Sequence, residues 1–573
     1  MIKILCYCEF SDQSITEKLG AADYSYFYVQ QAYIPVLEKL GDVVVLDSLQ
    51  GIHDHANNRL LGSVIVLAFV PPHKLPDITS CPVIPVFAWE YNTLPNIAFW
   101  GNPKNDWTVA LKDVAAAITH SSFSQKVVQQ AMGGDLKTAS IPAPIWDAFE
   151  DERQAIPTKH PYKNVSLDIE AEIVDSDDFD ITNTSIKPRI KSSTDKVFEP
   201  QQLVDGEVFI DPSDVHSSCK FVGFSAIEEW GIWSISEDPW IMLPYAVHGE
   251  LEFEICAHAV PSNAGLNIEM IVGDARAEFV LQEEETTYVI RVTVTAASRV
   301  VGFRGLSTGE PANDVDTRKL GMGLHHIKLK GAVELPEGIH QPSRRIDLSG
   351  MVYTYIFNFG DGRKNWDDAL IGFCRAFQKE PNATYIMKVS TNNFSAFLYE
   401  AFKLLRRLQP YQCRVVILYG YLSNETMADL RQATTFVVNN ACGEGQCLPL
   451  MEYMAAGIPA VAPNNTAMTD YLNENNSFRV DCSLQPDYWP TGPKEHFRTQ
   501  SYRIHWQSLF EGLQKSYQVA IENPEHYRVM AAAAAEAQRL YCSQQVVEER
   551  LAALIKSLQV DDSGQPQQGT LQL

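Results

Sequence analysis

Short apolar runs separated by helical stretches open and close this chain, and a different pattern interrupts them. Ile2-Lys3-Ile4-Leu5 opens a strand, Tyr26 to Leu40 reads as a helix, and Val43 to Leu46, Ser63 to Val70 and Val83 to Ala88 read as further strands. Runs that are apolar throughout, rather than alternating, belong to parallel strands buried on both faces and joined by crossover helices. From Gly350 the pattern resumes with MVYTYIFNF, a helix over Trp366 to Gln378, ATYIMKVS, CRVVILYG, TTFVVNN, a helix from Leu448, and PAVAP. Between them, LEFEICAHAV, LNIEMIVG, AEFVLQ, TTYVIRVTV and HHIKLKG are short and often alternate, which predicts an antiparallel β-sandwich.

These shifts set the expected boundaries. Residues 1–155 and 345–505 form the two α/β halves, and 201–344 the inserted β-sandwich. Residues 156–200, which contain Asp175-Ser176-Asp177-Asp178, are polar and read as a linker. Residues 506–560 read as Ala-rich helices, and 561–573 as a frayed tail.

A formal net charge of −25 repels nucleic acid and anionic lipid headgroups, so nucleic acid is excluded as a partner. The longest apolar run, Val64 to Val70, is far short of the roughly 20 residues a transmembrane helix needs. No secretory signal is evident at the N-terminus, and the 11 scattered cysteines lack zinc-ligand spacing, so reduced thiols in a cytoplasmic protein are expected.

The stretch from Asn440 to Pro459 is the most informative chemically. It reads as a strand, a Gly-containing turn, a helix and a strand, with Pro449 suited to the first helical turn and Gly457 to the left-handed residue closing the helix. The turn Gly443 to Leu448 offers backbone amides at a helix N-terminus, a natural seat for a diphosphate. Glu444 in an exposed turn and Glu452 a turn inside the helix can each accept hydrogen bonds from a pair of adjacent hydroxyls.

Glu444 and Glu452, separated by seven residues in the frame EG-x-x-LPL-x-E-x-MA-x-G-x-P, resemble the signature of the retaining GT-B glycosyltransferases of family 4. The resemblance implies an α/β fold of GT-B architecture, with two Rossmann-like domains and the antiparallel β-sandwich inserted between them. It implies that Glu444 contacts the transferred sugar and Glu452 the ribose of a nucleotide-diphosphate donor. Gly445 and Gln446 would then offer amides to sugar and phosphate, with Cys447, Leu448 and Thr466 completing the donor site. The neighbouring Asn358-Phe-Gly-Asp-Gly-Arg363-Lys364-Asn-Trp366 places two cations at the start of a helix, where cations are unfavourable without an anion. In the family a basic pair here neutralises the departing diphosphate, so no metal or other cofactor is expected. This chain departs from the common spacing, having Phe359 where the family has Arg.

In the N-terminal half, Glu90 in Phe87-Ala-Trp-Glu-Tyr91 is the expected catalytic or acceptor-side carboxylate, and His120 reads chiefly as structural. Residues 14–26 match the family's acceptor loop in position only. Lys388 is balanced between reaching phosphate and snorkelling to the surface. Trp230, Trp233 and Trp240 read as sandwich core rather than a sugar platform. The triplets at Asp175 and Asp314 are set aside as metal sites because they lie outside the α/β halves. The expected activity is transfer of a hexose-type sugar to a glycan or lipid-linked acceptor in surface polysaccharide synthesis, with peripheral association at the inner membrane face left open. Two alternatives stand beside it: a nucleotide-sugar epimerase or hydrolase, and a non-catalytic carbohydrate-binding protein.

Overall fold

The computed structural model describes residues 2–10, 23–46, 64–78, 81–134, 136–176, 179–180, 187–188, 207–212, 219–225, 228, 230–308, 319–333, 343–391, 394–490 and 492–558. They divide into two compact units, one of residues 1–165, 348–392 and 423–573, the other of residues 166–347 and 393–422.

The first unit holds both α/β halves. Its N-terminal sheet is parallel throughout, in the spatial order Gly41–Leu46, Ile2–Tyr7, Val64–Ala68, Val83–Phe87, Ala117–Thr119, Thr138–Ser140. Val64–Ala68 and Val83–Phe87 are buried at every residue, which is why their sequence does not alternate. Helix Ser25–Leu40 buries Tyr26, Phe27, Val29, Gln30, Tyr33, Val36 and Leu37, a stripe at helical spacing. The second parallel sheet runs Ser477–Val480, Ala460–Pro463, Phe436–Val438, Ser343–Asn358 (from Leu348 onward), Ala383–Ser390. The two Rossmann-like halves expected from the sequence are therefore present. Helices Trp506–Glu522, Pro524–Cys542 and Gln544–Leu558 close the unit. Tyr541 Oη donates to the His120 carbonyl (2.5 Å) and Trp146 Nε1 to that of Ala535 (2.8 Å), so these helices pack across the N-terminal half.

Helix Leu448–Ala455 is fixed at both ends. Pro449 sits in its first turn, and Gly457 closes it at φ 73°. Lys159 Nζ donates to the carbonyls of Ala456 (3.3 Å) and Gly457 (3.1 Å), acceptors that a helix end leaves without partners.

The second unit is built on the inserted antiparallel domain, among whose described residues eight strands join in one hydrogen-bonded network in which Trp240–Ala259 pairs with both Thr286–Arg304 and Met322–Val333. Register shifts between Met242 and Gly249 bend the long strands, and the network encloses its own core around Phe253, Ile255, Val301, Phe303 and Leu329. Two parts of the chain depart from the expected boundaries. The segment read as a polar linker begins with strands Lys163–Glu170 and Glu172–Asp175, because alternate residues of the first and most of the second are buried. Residues 393–422, assigned by sequence to the second α/β half, belong to this unit. Helix Phe394–Leu408 lays Phe402 against Trp240 and pairs Arg406 with Asp238 (2.5 Å), while strand Arg414–Tyr419 pairs antiparallel with Glu172–Asp175.

Asp175 is held by Arg414 (2.5 Å), and Asp177 and the Asp314 triplet lie outside the described residues. Among the described residues no group of three His, Cys, Asp or Glu side chains is arranged to hold a metal ion, and no helix is long and apolar enough to cross a membrane.

Candidate functional site

The site lies in the first unit, where the second sheet's strands end. Strand Ser343–Asn358 runs into a tight turn: Asn358 Oδ1 accepts from the Gly360 amide (2.9 Å), a 3₁₀ turn covers Gly362–Lys364, and Asn365 is left-handed at φ 48° before helix Trp366–Ala376. Both cations of this turn are pinned by their backbones. The Arg363 carbonyl accepts from the Cys442 amide (2.7 Å) and the Lys364 carbonyl from Tyr355 Oη (2.5 Å). Cys447 at φ 66° and Thr466 at φ 45° are also left-handed without being glycine. Three such residues around one spot are a local cost that packing must offset, a pattern associated with functional sites.

Their side chains converge with three carboxylates. Lys364 Nζ lies 2.7 and 2.9 Å from the Glu444 oxygens, and Arg363 donates through Nη1 to Glu444 (3.0 Å). Arg363 also pairs through Nε with Glu90 (2.9 Å) and through Nη2 with Asp361 (2.9 Å), and donates to the Gly443 carbonyl (2.6 Å). Glu444 is therefore not in an exposed turn, as the sequence suggested. It is 2% exposed, and two cations and Asn439 Nδ2 (3.1 Å) satisfy its oxygens. Burial pushes its carboxyl up, but Lys364 and Arg363 outweigh that and hold it at about 2. Burial also raises Glu90, against the pull of Arg363 and with added repulsion from Asp361 and Glu444.

The turn after Glu444 is packed rather than open. A Cβ on Gly445 would stand 2.6 Å from Ala88 Cβ and 3.0 Å from the Trp89 nitrogen, and one on Gly443 would stand 2.9 Å from the Glu90 carbonyl. These glycines allow the two halves to approach along their backbones. The first amide of the turn is already used, since Glu444 N donates to Thr466 Oγ1 (2.8 Å). Gln446 Oε1 accepts from the Ala143 amide (3.1 Å) and its carbonyl from Tyr471 Oη (3.0 Å), while its buried Nε2 has no partner among the described residues. Cys447 Sγ accepts from Asn439 (3.1 Å), and Leu448 begins the helix. Glu452 lies one turn further on, half-buried; burial raises it to about 7, opposed by Arg431, which is itself clamped on Glu152 (2.9 Å).

The other residues singled out from the sequence lie in varied surroundings. Lys388 does not snorkel; it is 7% exposed, with Nζ 3.3 Å from Ser390 Oγ. Tyr24, absent from the sequence reading of the site, lies beside Ser390 and is close enough to Lys364 and Glu452 to feel both charges. Only its place at a helix start, after a loop, hinted at it. His120 is buried, with Nδ1 on the Ile141 carbonyl (3.1 Å), and burial lowers it to about 4; it is a neutral packing residue. Trp240 is buried, and Trp230 and Trp233 pack on His258 and on each other. Most of residues 14–26 lies outside the described residues.

Residues 205–331 match the family model DUF7024, a domain of unknown function, which covers only the inserted domain. No curated protein matches the chain. Among solved structures, the chain is similar to HepE of Anabaena in complex with UDP and glucose (10% identity, 97% of this chain and 100% of that one, TM-score 0.40). It is also similar to the pneumococcal O-GlcNAc transferase GtfA in complex with UDP and GlcNAc (9%, 90% and 60%, TM-score 0.38). A third likeness is to a glycosyltransferase from Rickettsia africae (10%, 37% and 49%, TM-score 0.29), of whose length the chain spans about half. At these scores the likenesses carry no weight in the assignment of function, which has to come from the residues described above.

Proposed function

We propose that the protein is a glycosyltransferase that takes its sugar from a nucleotide-diphosphate donor. The observation that carries this reading is the buried cluster of Lys364 and Arg363 on Glu444, with Glu90 brought in from the other half. Cations at the carboxyl ends of parallel strands, beside a helix N-terminus, suit a diphosphate. A carboxylate held at about 2 stays ionised, and its oxygens become available to sugar hydroxyls as Lys364 and Arg363 turn to the diphosphate. The HepE and GtfA structures hold UDP together with a sugar. That pairing is in keeping with this reading but is not its ground.

In the proposed reaction the donor's sugar sits against Glu444 and its ribose against Glu452. The bond from the anomeric carbon to the diphosphate breaks, and the electron pair leaves with the phosphate. Lys364 and Arg363 stabilise the charge that gathers there, an interaction stronger in the transition state than in the ground state. The acceptor hydroxyl bonds to the anomeric carbon on the face the diphosphate has left, and its proton passes to a phosphate oxygen. Configuration is retained, and the cationic pair performs the role a metal would otherwise fill. A hexose-type sugar, a glycan or lipid-linked acceptor and a cytoplasmic site of action, at the inner face of the membrane, complete the proposal.

The test is turnover with UDP-, GDP- and ADP-sugars in EDTA, comparing the natural chain with Glu444→Ala and with Lys364→Ala. Transfer lost by two orders of magnitude or more in both variants is the expected result. Undiminished turnover in either variant would refute the assignment.

A further inference from the structure

The cationic pair at the heart of the site is already neutralised. Arg363 and Lys364 face Glu90, Asp361 and Glu444, so three carboxylates meet two cations before any ligand arrives. A diphosphate brought to those five groups alone would meet cations that are already paired. Lys388 is different. Its side chain is more than nine-tenths buried near the end of strand Ala383–Ser390, and among the described residues it has no acidic partner. A buried ammonium with no anion carries a desolvation cost that nothing offsets, and burial lowers Lys388 to about 8. One neutral hydrogen bond, to Ser390 Oγ (3.3 Å), does not satisfy three donors.

The groups around it complete a seat. Ser390 stands two residues on, on the same face of the strand, and Tyr24 from the N-terminal half lies beside it. Tyr24 in turn lies close enough to feel Lys364 on one side and Glu452 on the other. Lys388, Ser390 and Tyr24 thus form one polar cluster within electrostatic reach of Lys364 and Glu452.

We infer that Lys388, with Ser390 and Tyr24, forms a further anion seat for a phosphate group of the nucleoside diphosphate, in addition to Lys364 and Arg363. The inference rests on the donor reading proposed above and assigns within it a further group that meets the anion's charge. An ammonium buried in advance of the ligand supplies its charge without side-chain reorganisation, and phosphate satisfies donors that Ser390 alone cannot.

The experiment is calorimetric titration of UDP, GDP, ADP and uridine into the full chain and into Lys388→Met and Lys388→Arg. Replacing a buried charge with an apolar side chain of similar length should leave thermal unfolding unchanged or raised, which keeps a folding defect from imitating the result. Affinity for whichever diphosphate binds is expected to fall roughly 10- to 100-fold in Lys388→Met and to recover in part in Lys388→Arg, the equivalent of losing one charged hydrogen-bonding partner. Uridine, which has no phosphate, should bind all three chains alike when UDP is the nucleotide taken. Diphosphate affinity within twofold of the natural chain in Lys388→Met overturns the seat and leaves the donor reading standing. A natural chain that binds none of the three diphosphates overturns both.

Discussion

Arg363 Nε lies 2.9 Å from Glu90 Oε1, a salt bridge between the two α/β halves whose partners are both largely buried. Its energetics are lopsided. Arg363 keeps two other carboxylates without Glu90, whereas Glu90 has burial and two like charges working against its ionised form.

Glu90→Gln should therefore cost little in stability and much in function. A carboxyl whose native pKa is raised by burial adds no net stability through its ionised form, so removing the charge costs the fold little. Unfolding free energy is expected within about 1 kcal/mol of the natural chain by urea titration. Transfer should fall at least tenfold, because the charge that aligns Arg363 across the cleft is gone. Full activity in Glu90→Gln would remove this carboxylate from the mechanism.

Glu444 gives the opposite pH signature. Its carboxyl is held at about 2, below the usual 4.5, so its contribution to stability is complete above pH 4.5 and lost as pH falls towards 2. A shift of that size is worth roughly 3 kcal/mol. Chemical unfolding of Glu444→Gln should show a deficit of that order at pH 7 that shrinks steadily below pH 4.5. A deficit independent of pH would mean that the ion pairs with Lys364 and Arg363 are not its source.

The parallel strands were legible because strands buried on both faces must be apolar throughout, as Val64–Ala68 is. The helix behind Glu444 was legible because proline and glycine leave few alternatives at its ends. The burial of Glu444 was not, since a glutamate in a Gly-containing turn reads as exposed until Lys364 and Arg363 arrive from a segment 80 residues away. Lys388 stayed undecided for a related reason: an isolated lysine in a strand has no local pattern that separates a surface amine from a buried one. The assignment of residues 393–422 depended on Arg406 meeting Asp238 and on Phe402 meeting Trp240, long-range contacts invisible to periodicity.

Gly445 tests the close approach of the halves. Alanine there places a methyl 2.6 Å from Ala88 Cβ and 3.0 Å from a backbone nitrogen, atoms that cannot swing aside. Overpacking of this kind costs about 1–3 kcal/mol, and displacement of the turn also moves Glu444. Gly445→Ala should lower the thermal midpoint by several degrees and weaken donor binding together. A variant with unchanged midpoint and binding would show that the backbones do not meet at this distance.

Glu452 supplies a pH dependence of binding. Burial raises its carboxyl to about 7, so much of the population is protonated at neutral pH without ligand. A raised carboxyl makes the native state the better proton binder, so this residue's contribution to stability declines as pH rises from 4.5 to about 7. Ligand affinity should run the other way. A carboxylate can accept from both hydroxyls of a ribose, whereas a protonated carboxyl presents one donor and less acceptor capacity. Nucleoside diphosphate affinity is therefore expected to climb from pH 5.5 to about 7.5 and then level off, and Glu452→Gln should flatten that profile at its weaker end. Phosphate titrates in the same range, so the decisive comparison uses the bare nucleoside, whose binding should keep the same dependence. If uridine, guanosine and adenosine all bind with no trend across this window while the diphosphate does show one, Glu452 is not the ribose ligand.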